Sequence, residues 1–282
     1  MPTTFARPEL LASPVWVVQN NSRPDVRVVD CRWRVDGSGR RYFAEGHVPG
    51  AVYVDWASEL AQGDEQRRFE LAGPDAVAQA LSRAGVDREA TVVVCDDMYS
   101  LYASRVWWTL RAYGVERARI LDGGWPAWLD AGLPISTAAE SVAPTTFVPS
   151  ATTGRRVTAE ELAPLVNAGR ATIIDARAPA DYLGQGGPDP RRGHIRGALN
   201  VPAALLSTEG SQAFPPADAL SRIFARAGVQ PGRPIVTYDA TGIGAAKIAF
   251  ALELMGFDQV AVYDAGWPDW AARPEEEFPV ET

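Results

Sequence analysis

The sequence predicts an α/β fold made of two similar domains, each with a mostly parallel sheet flanked by helices. Three observations support this prediction: a set of short blocks recurs in both halves of the chain, apolar strand-like runs alternate with helical segments, and 282 residues suit two domains of ordinary size. Strands this apolar are covered on both faces, which favours parallel sheets between helical layers.

The internal repeat rests on four pairs of blocks. They are Val28–Arg32 with Ile173–Arg177, Gly46–Ala51 with Gly193–Ala198, Val93–Asp96 with Val236–Asp239, and Leu121–Trp128 with Tyr263–Trp270. Their first residues are offset by 145, 147, 143 and 142 positions. Because the offsets are nearly constant, the blocks are collinear and indicate a duplicated domain.

The elements of the second half follow one another along the chain. Thr158 begins a capped helix, and Gly228 and Gly256 each end one. The predicted strands are 172–175, 235–238 and 259–263, and the other two predicted helices are 216–227 and 245–255. In the first half, the runs that end at Cys31 and at Cys95 are predicted strands.

The segment between the two repeats is rich in Ala, Ser, Thr and Pro. This composition indicates an extended linker over residues 138–156. We therefore expect an N-terminal domain over residues 1–137 and a C-terminal domain over residues 157–282.

Composition and charge narrow the function classes. A formal net charge of -8 argues against nucleic acid and anionic membranes as main partners. No apolar run approaches the roughly 18 residues of a membrane span, and the first residues lack a signal-peptide core, so we expect a cytoplasmic protein. The two cysteines show no Cys-x-x-Cys spacing and the histidines do not cluster, so we expect no metal and no other cofactor.

The most informative segment begins with the strand Ile235–Tyr238 and continues into a loop of mostly small residues that opens a helix. Successive backbone N–H groups of such a loop converge into an anion-binding nest, assisted by the helix N-terminus. Asp239 stands at the first position of this loop, where an active site would place a nucleophile. An acid therefore faces a pocket shaped for anions.

Several motifs occur together along the chain: Asp30–Trp33, the paired Gly-His-Val/Ile-x-Gly-Ala blocks, Asp175–Arg177 with Asp181–Gly184, Leu121–Gly124, and Gly266–Trp270. In combination they resemble the tandem-domain rhodanese family of thiosulfate and 3-mercaptopyruvate sulfurtransferases. The resemblance covers nearly the whole chain. It implies two rhodanese-like domains, of which the N-terminal one is non-catalytic, with the site-bearing loop 239–244 near the domain interface.

The loop departs from the family pattern where the chemistry takes place. In members of mercaptopyruvate type it reads Cys-Gly-Ser-Gly-Val-Thr, and the cysteine carries the transferred sulfur as a persulfide. The loop here is Asp239, Ala240, Thr241, Gly242, Ile243 and Gly244. Thr241 keeps a hydroxyl, Gly244 stands in place of the final threonine, and the Arg or Lys of thiosulfate-type loops is absent.

The resemblance also gives Arg177 a role, since the matching arginine of the family lines the mouth of the site and contacts the anionic substrate. The alternative is a buried or interdomain Asp–Arg pair. Its first-half equivalent, Arg32, is expected to be structural.

Asp239 itself has two interpretations. It either accepts several loop N–H bonds and caps the helix, as Asp96 is expected to do in the first half, or acts as a nucleophile or general base. In the capping role we expect it to stay ionised, to fill the nest and to repel anions. The first-half loop from Asp97 to Tyr102 is bulky and is expected to fill any pocket in its own domain.

The remaining candidates are expected to serve the fold. His47 and His194 occupy the same slot of the two repeats, which favours a role in the turn. Strand alternation turns Cys95 away from the loop mouth, and both Cys31 and Cys95 are expected to be buried and inert.

Three functions follow from the resemblance and from the acid in the loop. The first is a binding or regulatory module that has lost persulfide transfer and takes a small anionic or sulfur-containing ligand, or a protein partner. The second is an active sulfurtransferase that uses Cys95, Cys31 or a partner's thiol. The third is a changed enzyme in which Asp239 is the nucleophile or base.

Overall fold

Two five-stranded parallel sheets, one in each half of the chain, form the framework of the protein. The computed structural model describes residues 2–63, 69–139, 142–150, 154–186, 189–208 and 210–282. Helices flank each sheet, so the predicted α/β fold with two similar domains is confirmed.

The first-half sheet has the strand order β1-β7-β6-β2-β3. The strands of this half are β1 Leu11–Ala12, β2 Val26–Asp30, β3 Ala51–Tyr53, β4 Ala61–Gln62, β5 Glu70–Leu71, β6 Thr91–Cys95 and β7 Ala118–Leu121. The helices are α1 Pro14–Asn20, α2 Gly39–Glu45, α3 Trp56–Glu59, α4 Pro74–Arg83, α5 Leu101–Ala112 and α6 Gly124–Asp130. Strands β4 and β5 form a separate antiparallel pair.

The second-half sheet has the order β11-β9-β12-β13-β8. Its strands are β8 Arg156–Val157, β9 Thr172–Asp175, β11 Leu199–Asn200, β12 Ile235–Tyr238 and β13 Val260–Tyr263, while β10 His194–Ile195 pairs with β14 Val280–Glu281. The helices are α7 Ala159–Asn167, α8 Pro179–Tyr182, α9 Ala217–Arg226, α10 Ile243–Leu254 and α11 Gly266–Ala272. Read from its other edge, this order repeats that of the first sheet, as a duplication requires.

The second-half boundaries agree closely with the sequence. Thr158 forms the predicted cap as a full capping box: its hydroxyl accepts from the N–H of Glu161 at 3.3 Å, and the Glu161 carboxylate accepts from the N–H of Thr158 at 2.8 Å. Helix α10 begins at Ile243 rather than at the predicted Ala245. The left-handed turn at Gly242, with φ of 75°, brings the chain directly into helical geometry.

The two domains meet through equivalent helices, since α5 packs against α10. Trp107 and Phe250 cross edge to face with ring centroids 4.9 Å apart, and one continuous apolar cluster holds residues of both halves. Within the predicted linker, residues 140, 141 and 151–153 lie outside the described part. Phe147 is buried, and Thr145 donates its N–H to the carbonyl of Ser82 at 3.0 Å, so this segment runs against the first domain.

Helices of the described residues are all too short or too polar to cross a lipid bilayer.

Candidate functional site

The loop after β12 folds around the side chain of Asp239. Oδ1 accepts the N–H of Thr241 at 3.1 Å and that of Gly242 at 2.5 Å, and Oδ2 accepts the N–H of Gly244 at 2.9 Å. The Thr241 hydroxyl lies 3.4 Å from Oδ2. The carboxylate thus turns back onto the loop and takes up N–H groups that an anion nest would offer to a ligand.

Asp96 holds the equivalent place after β6. Its oxygens accept the N–H groups of Met98, Ser100, Tyr102 and Ala103 at 2.9 to 3.3 Å. The predicted parallel between the two acids is therefore confirmed, and both cap the helix that follows. Asp96 is fully buried, whereas Asp239 is partly exposed at a cavity.

Burial raises the pKa of Asp239, while the N–H groups of Thr241, Gly244 and Gly242 and the charge of Arg105 work in the opposite direction. The loop hydrogen bonds expected from the sequence lower the pKa, and burial outweighs them. Desolvation is the larger effect because the loop closes over the carboxyl group.

A buried ion pair between the domains supports this loop from behind. Arg105 on α5 donates to Asp264 at 2.6 Å, and both side chains are almost completely buried. A Cβ on Gly242 would lie 2.7 Å from Nη1 of Arg105 and 2.8 Å from Oδ1 of Asp264. Glycine is thus required at position 242 by its φ and by this close approach. The repeat included Asp264 in a matched block, but the sequence analysis did not single out either partner.

A cavity of about 410 Å³ opens beside Asp239, between the domains. Its first-domain wall includes Trp33, Tyr99 and Tyr102, together with Met98 and Leu101. The bulky first-half loop therefore contributes to this shared cavity. The prediction that it only fills a pocket of its own domain was incomplete.

The second-domain side of the cavity includes Asp239, Thr241, Ile243 and Gly244 of the predicted loop. Ala240 is exposed and does not line the cavity, and Gly242 lies buried behind the loop.

Lys247, one turn into α10, also lines this cavity and was missed in the sequence analysis. Its Nζ donates to the hydroxyl of Ser207 at 2.8 Å and lies 5.9 Å from the centre of the Phe214 ring. Burial lowers its pKa from 10.5 to about 8. It is the single lysine of the chain, placed within an otherwise largely apolar helix, and that isolation was the signal available in the sequence.

Arg177 is held away from the cavity. It forms a buried ion pair with Asp175 at 2.6 Å, donates to the carbonyl of Gly193 at 2.6 Å and lies over Trp267 at 4.3 Å. Arg32 repeats this arrangement with Asp30 at 2.7 Å. The matching contacts favour the buried-pair interpretation over contact with a substrate.

The two histidines also match each other. His47 stacks on Phe43 and bonds its carbonyl through Nδ1 at 2.7 Å, and His194 stacks on Tyr182 and bonds its carbonyl at 2.9 Å. Such paired contacts fit the predicted role in the fold.

Both thiols are completely buried, and burial raises the pKa of Cys31 and of Cys95 well above the ordinary value. Neither cysteine lines the cavity. No group of three or more His, Cys, Asp or Glu side chains suited to a metal ion occurs among the described residues.

Among known protein families, the model of the rhodanese-like domain matches this chain twice, at residues 13–131 and 158–273.

Relatives of known activity match over nearly the whole chain. A 3-mercaptopyruvate sulfurtransferase of Escherichia coli is 34% identical over 277 residues, which cover 94% of this chain and 95% of the relative. A thiosulfate sulfurtransferase of Rattus norvegicus is 31% identical over 276 residues, which cover 93% of this chain and 92% of the relative.

Among solved structures, the 3-mercaptopyruvate sulfotransferase SseA from Escherichia coli superposes with a TM-score of 0.83 at 29% identity. The match covers 92% of this chain and 98% of that one.

Proposed function

The chain belongs to the rhodanese family as a tandem of two rhodanese-like domains, and from this premise we propose that it binds a small ligand between its domains without transferring sulfur through a persulfide. The observation that carries the proposal is the place of Asp239. It follows the β12 strand and opens the loop to α10, and the resemblance assigns the family's cysteine to this position.

A carboxylate cannot carry a sulfane sulfur, because a persulfide needs a thiolate that attacks the outer sulfur of the donor. Asp239 also takes up the N–H groups of Thr241, Gly242 and Gly244. A thiolate or an anionic donor at this place would therefore find few free N–H groups.

The buried cysteines do not supply a substitute. Cys31 and Cys95 have no exposed surface and a raised pKa, so neither presents a thiolate to a sulfur donor. The burial of both thiols weighs against the alternative of an active sulfurtransferase that uses these residues.

A changed enzyme in which Asp239 serves as nucleophile or base is also less well supported. The carboxylate oxygens are held by backbone N–H groups within the loop, which keeps them directed away from a ligand. Its raised pKa suits a proton acceptor, but the described residues that line the cavity include no histidine and no second acid to complete such a pair.

The cavity itself supports a binding function. It has a volume of about 410 Å³ and an aromatic wall from the first domain. Pockets with apolar walls and a few polar groups are the usual form of a small-molecule site. A regulatory role would follow if ligand binding changed how the domains present their surfaces to a protein partner.

The test is a sulfurtransferase assay of the full-length protein with thiosulfate or 3-mercaptopyruvate as donor and cyanide as acceptor, beside the Escherichia coli relative. We expect no turnover and no persulfide on Cys31 or Cys95 by mass spectrometry. Turnover comparable to the relative that survives Asp239→Ala would overturn the proposal. Turnover lost in Asp239→Asn would point instead to the carboxylate-dependent enzyme.

A further inference from the structure

Lys247 places an amine in the cavity. The loss of persulfide chemistry does not explain why that amine is there. We propose that its amine captures a small, neutral, apolar aldehyde as a reversible imine inside the cavity between the domains. This inference rests on the proposed function, because it names the ligand class of the same cavity.

Comparison of the two repeats isolates this lysine. Lys247 is the fifth residue of α10, and Arg105 is the fifth residue of α5. Arg105 donates to Asp264, to the carbonyl of Phe69 and to that of Gly242. Two of these three acceptors, Asp264 and Gly242, lie in the second domain, so the guanidinium is engaged in joining the domains.

The amine of Lys247 has no such role. Within the described part of the chain, no carboxylate lies within ion-pair distance of Nζ, whose polar contact is the Ser207 hydroxyl at 2.8 Å. Asp122, the first-half counterpart of Asp264, is partly buried, and its inaccessible Oδ1 has no hydrogen-bond partner. Lys247 and Asp122 thus do not form the ion pair that would mirror the one between Arg105 and Asp264. The Lys247 amine lines the cavity instead.

The surroundings of Nζ favour the neutral amine, which is the reactive form. The side chain is 2% exposed, and burial lowers its pKa to about 8. At pH 7 about a tenth of the molecules would carry the free amine, roughly 300-fold more than for an ordinary lysine. Desolvation in an apolar pocket is one of the ways in which proteins activate lysine for carbonyl chemistry.

The other groups of the cavity select the ligand class. The described residues that line the cavity include no arginine, and the acidic residue among them is Asp239. When Lys247 reacts as the neutral amine, a ligand carboxylate would meet that negative charge without a fixed guanidinium to offset it. Trp33, Tyr102 and Ile243 offer apolar surface to a hydrocarbon body. A neutral aldehyde therefore fits better than an oxo acid.

The reaction balances without an oxidant or a reductant. The amine lone pair attacks the carbonyl carbon, the C–N bond forms as the C=O π bond breaks, and one proton passes from nitrogen to oxygen. The hydroxyl of the resulting carbinolamine takes up a second proton and leaves as water as the C–O bond breaks and the C=N bond forms, and the nitrogen loses its second proton. The net change is one imine and one water for each amine and aldehyde.

The experiment uses benzaldehyde as the probe and sodium cyanoborohydride to trap the imine at pH 7 on the full-length protein. Because the chain has a single lysine, peptide mass mapping assigns any side-chain adduct directly. We expect an adduct on Lys247 whose rate saturates with benzaldehyde concentration, and no such adduct in Lys247→Met.

The matched control is the double variant Lys247→Met/Arg222→Lys, because Arg222 lies on an exposed helix face. Its introduced amine should label at least about tenfold more slowly, with a rate linear in benzaldehyde. The inference is overturned if Lys247 labels only after unfolding, or labels no faster than this control. Faster trapping of glyoxylate than of benzaldehyde would overturn the ligand class.

Benzyl alcohol separates this inference from the proposed function, since it fits the same space but cannot form an imine. Its binding can be followed by the fluorescence of Trp33, with Trp33→Phe as the reference. Binding of benzyl alcohol without trapping at Lys247 would overturn the imine and leave the binding function standing. Binding of neither compound would count against both.

Discussion

Oδ2 of Asp239 contacts the backbone of Gly244 so closely that a change at either residue affects the other. The oxygen accepts the N–H of Gly244 at 2.9 Å, and a Cβ added to Gly244 would lie 2.9 Å from the same oxygen. The Cβ of Ala203 would be 3.3 Å away on another side. The acid and the glycine in this loop are therefore sterically linked.

Gly244→Thr should destabilise the protein by about 1–3 kcal/mol, because the new side chain must displace the Asp239 carboxylate. The same change in an Asp239→Cys background should cost less, with a coupling of about 0.5–3 kcal/mol in a double-mutant cycle. Denaturant unfolding followed by tryptophan fluorescence measures both. Gly73→Thr is the control, because a Cβ at Gly73 meets open space. Additive effects at positions 239 and 244 would contradict the steric link.

Asp239→Cys should accept sulfur from 3-mercaptopyruvate. Removal of the carboxylate releases the N–H groups of Thr241, Gly242 and Gly244, which then stabilise a thiolate at the start of α10. Persulfide formation is read by intact mass. Asp96→Cys is the matched control in the first domain, and its fully buried position should stay unreactive. Equal reactivity of the two variants would contradict this account.

Asp264→Asn should cost about 3–5 kcal/mol of unfolding free energy, since it leaves the Arg105 guanidinium buried without its counter-charge. The exposed pair of Arg222 and Asp218 provides the control: Asp218→Asn should cost far less, because water screens this pair. Chemical denaturation compares the two. Similar small losses in both variants would mean that the interdomain pair adds little to stability.

Lys247 should make stability depend on pH above neutrality. Its folded-state pKa of about 8 lies below the ordinary 10.5, so between these values the unfolded chain binds more protons. Stability therefore rises with pH from about 8 to 10.5, by up to roughly 3 kcal/mol in total, and this group adds no further change below about 8. The unfolding free energy of the wild type minus that of Lys247→Met should show this slope. Parallel pH curves would contradict a desolvated amine.

Cys31 and Cys95 should react with a thiol reagent only as the protein unfolds, because both side chains are fully buried and their pKa values are raised. Labelling with a chromogenic disulfide in native buffer and in denaturant measures this. Labelling should follow the unfolding transition. Fast labelling of the native state would reopen the possibility that these thiols carry sulfur.

The fold could be predicted from the sequence because the repeat and the apolar strands each indicate the same fold. The runs that became β9 and β12 were identified to the residue, since β-branched residues end abruptly at Asp175 and Asp239. The start of α10 was misplaced by two residues. Its first turn contains Gly244, which is a weak helix former, and the turn at Gly242 fixes the start.

The site could be predicted only where contacts are local. The side-chain hydrogen bonds of Asp239 reach no further than Gly244 along the chain, so a loop motif was enough to predict them. The pair of Arg105 and Asp264 joins residues from different domains, and no spacing in the sequence reveals it. Lys247 was overlooked because its neighbours in α10 indicate a buried face, and burial alone does not distinguish a packing residue from an activated amine.

The contact of Arg105 with the carbonyl of Gly242 means that the N-terminal domain is a structural component of the site. Trp33 and Tyr102 supply a wall of the cavity, while Arg105 holds the back of the loop. A C-terminal domain expressed alone would keep Asp239 but lose both supports. Both domains are therefore needed to form the site. The first repeat supplies one wall of the shared cavity, so it is more than a remnant of duplication.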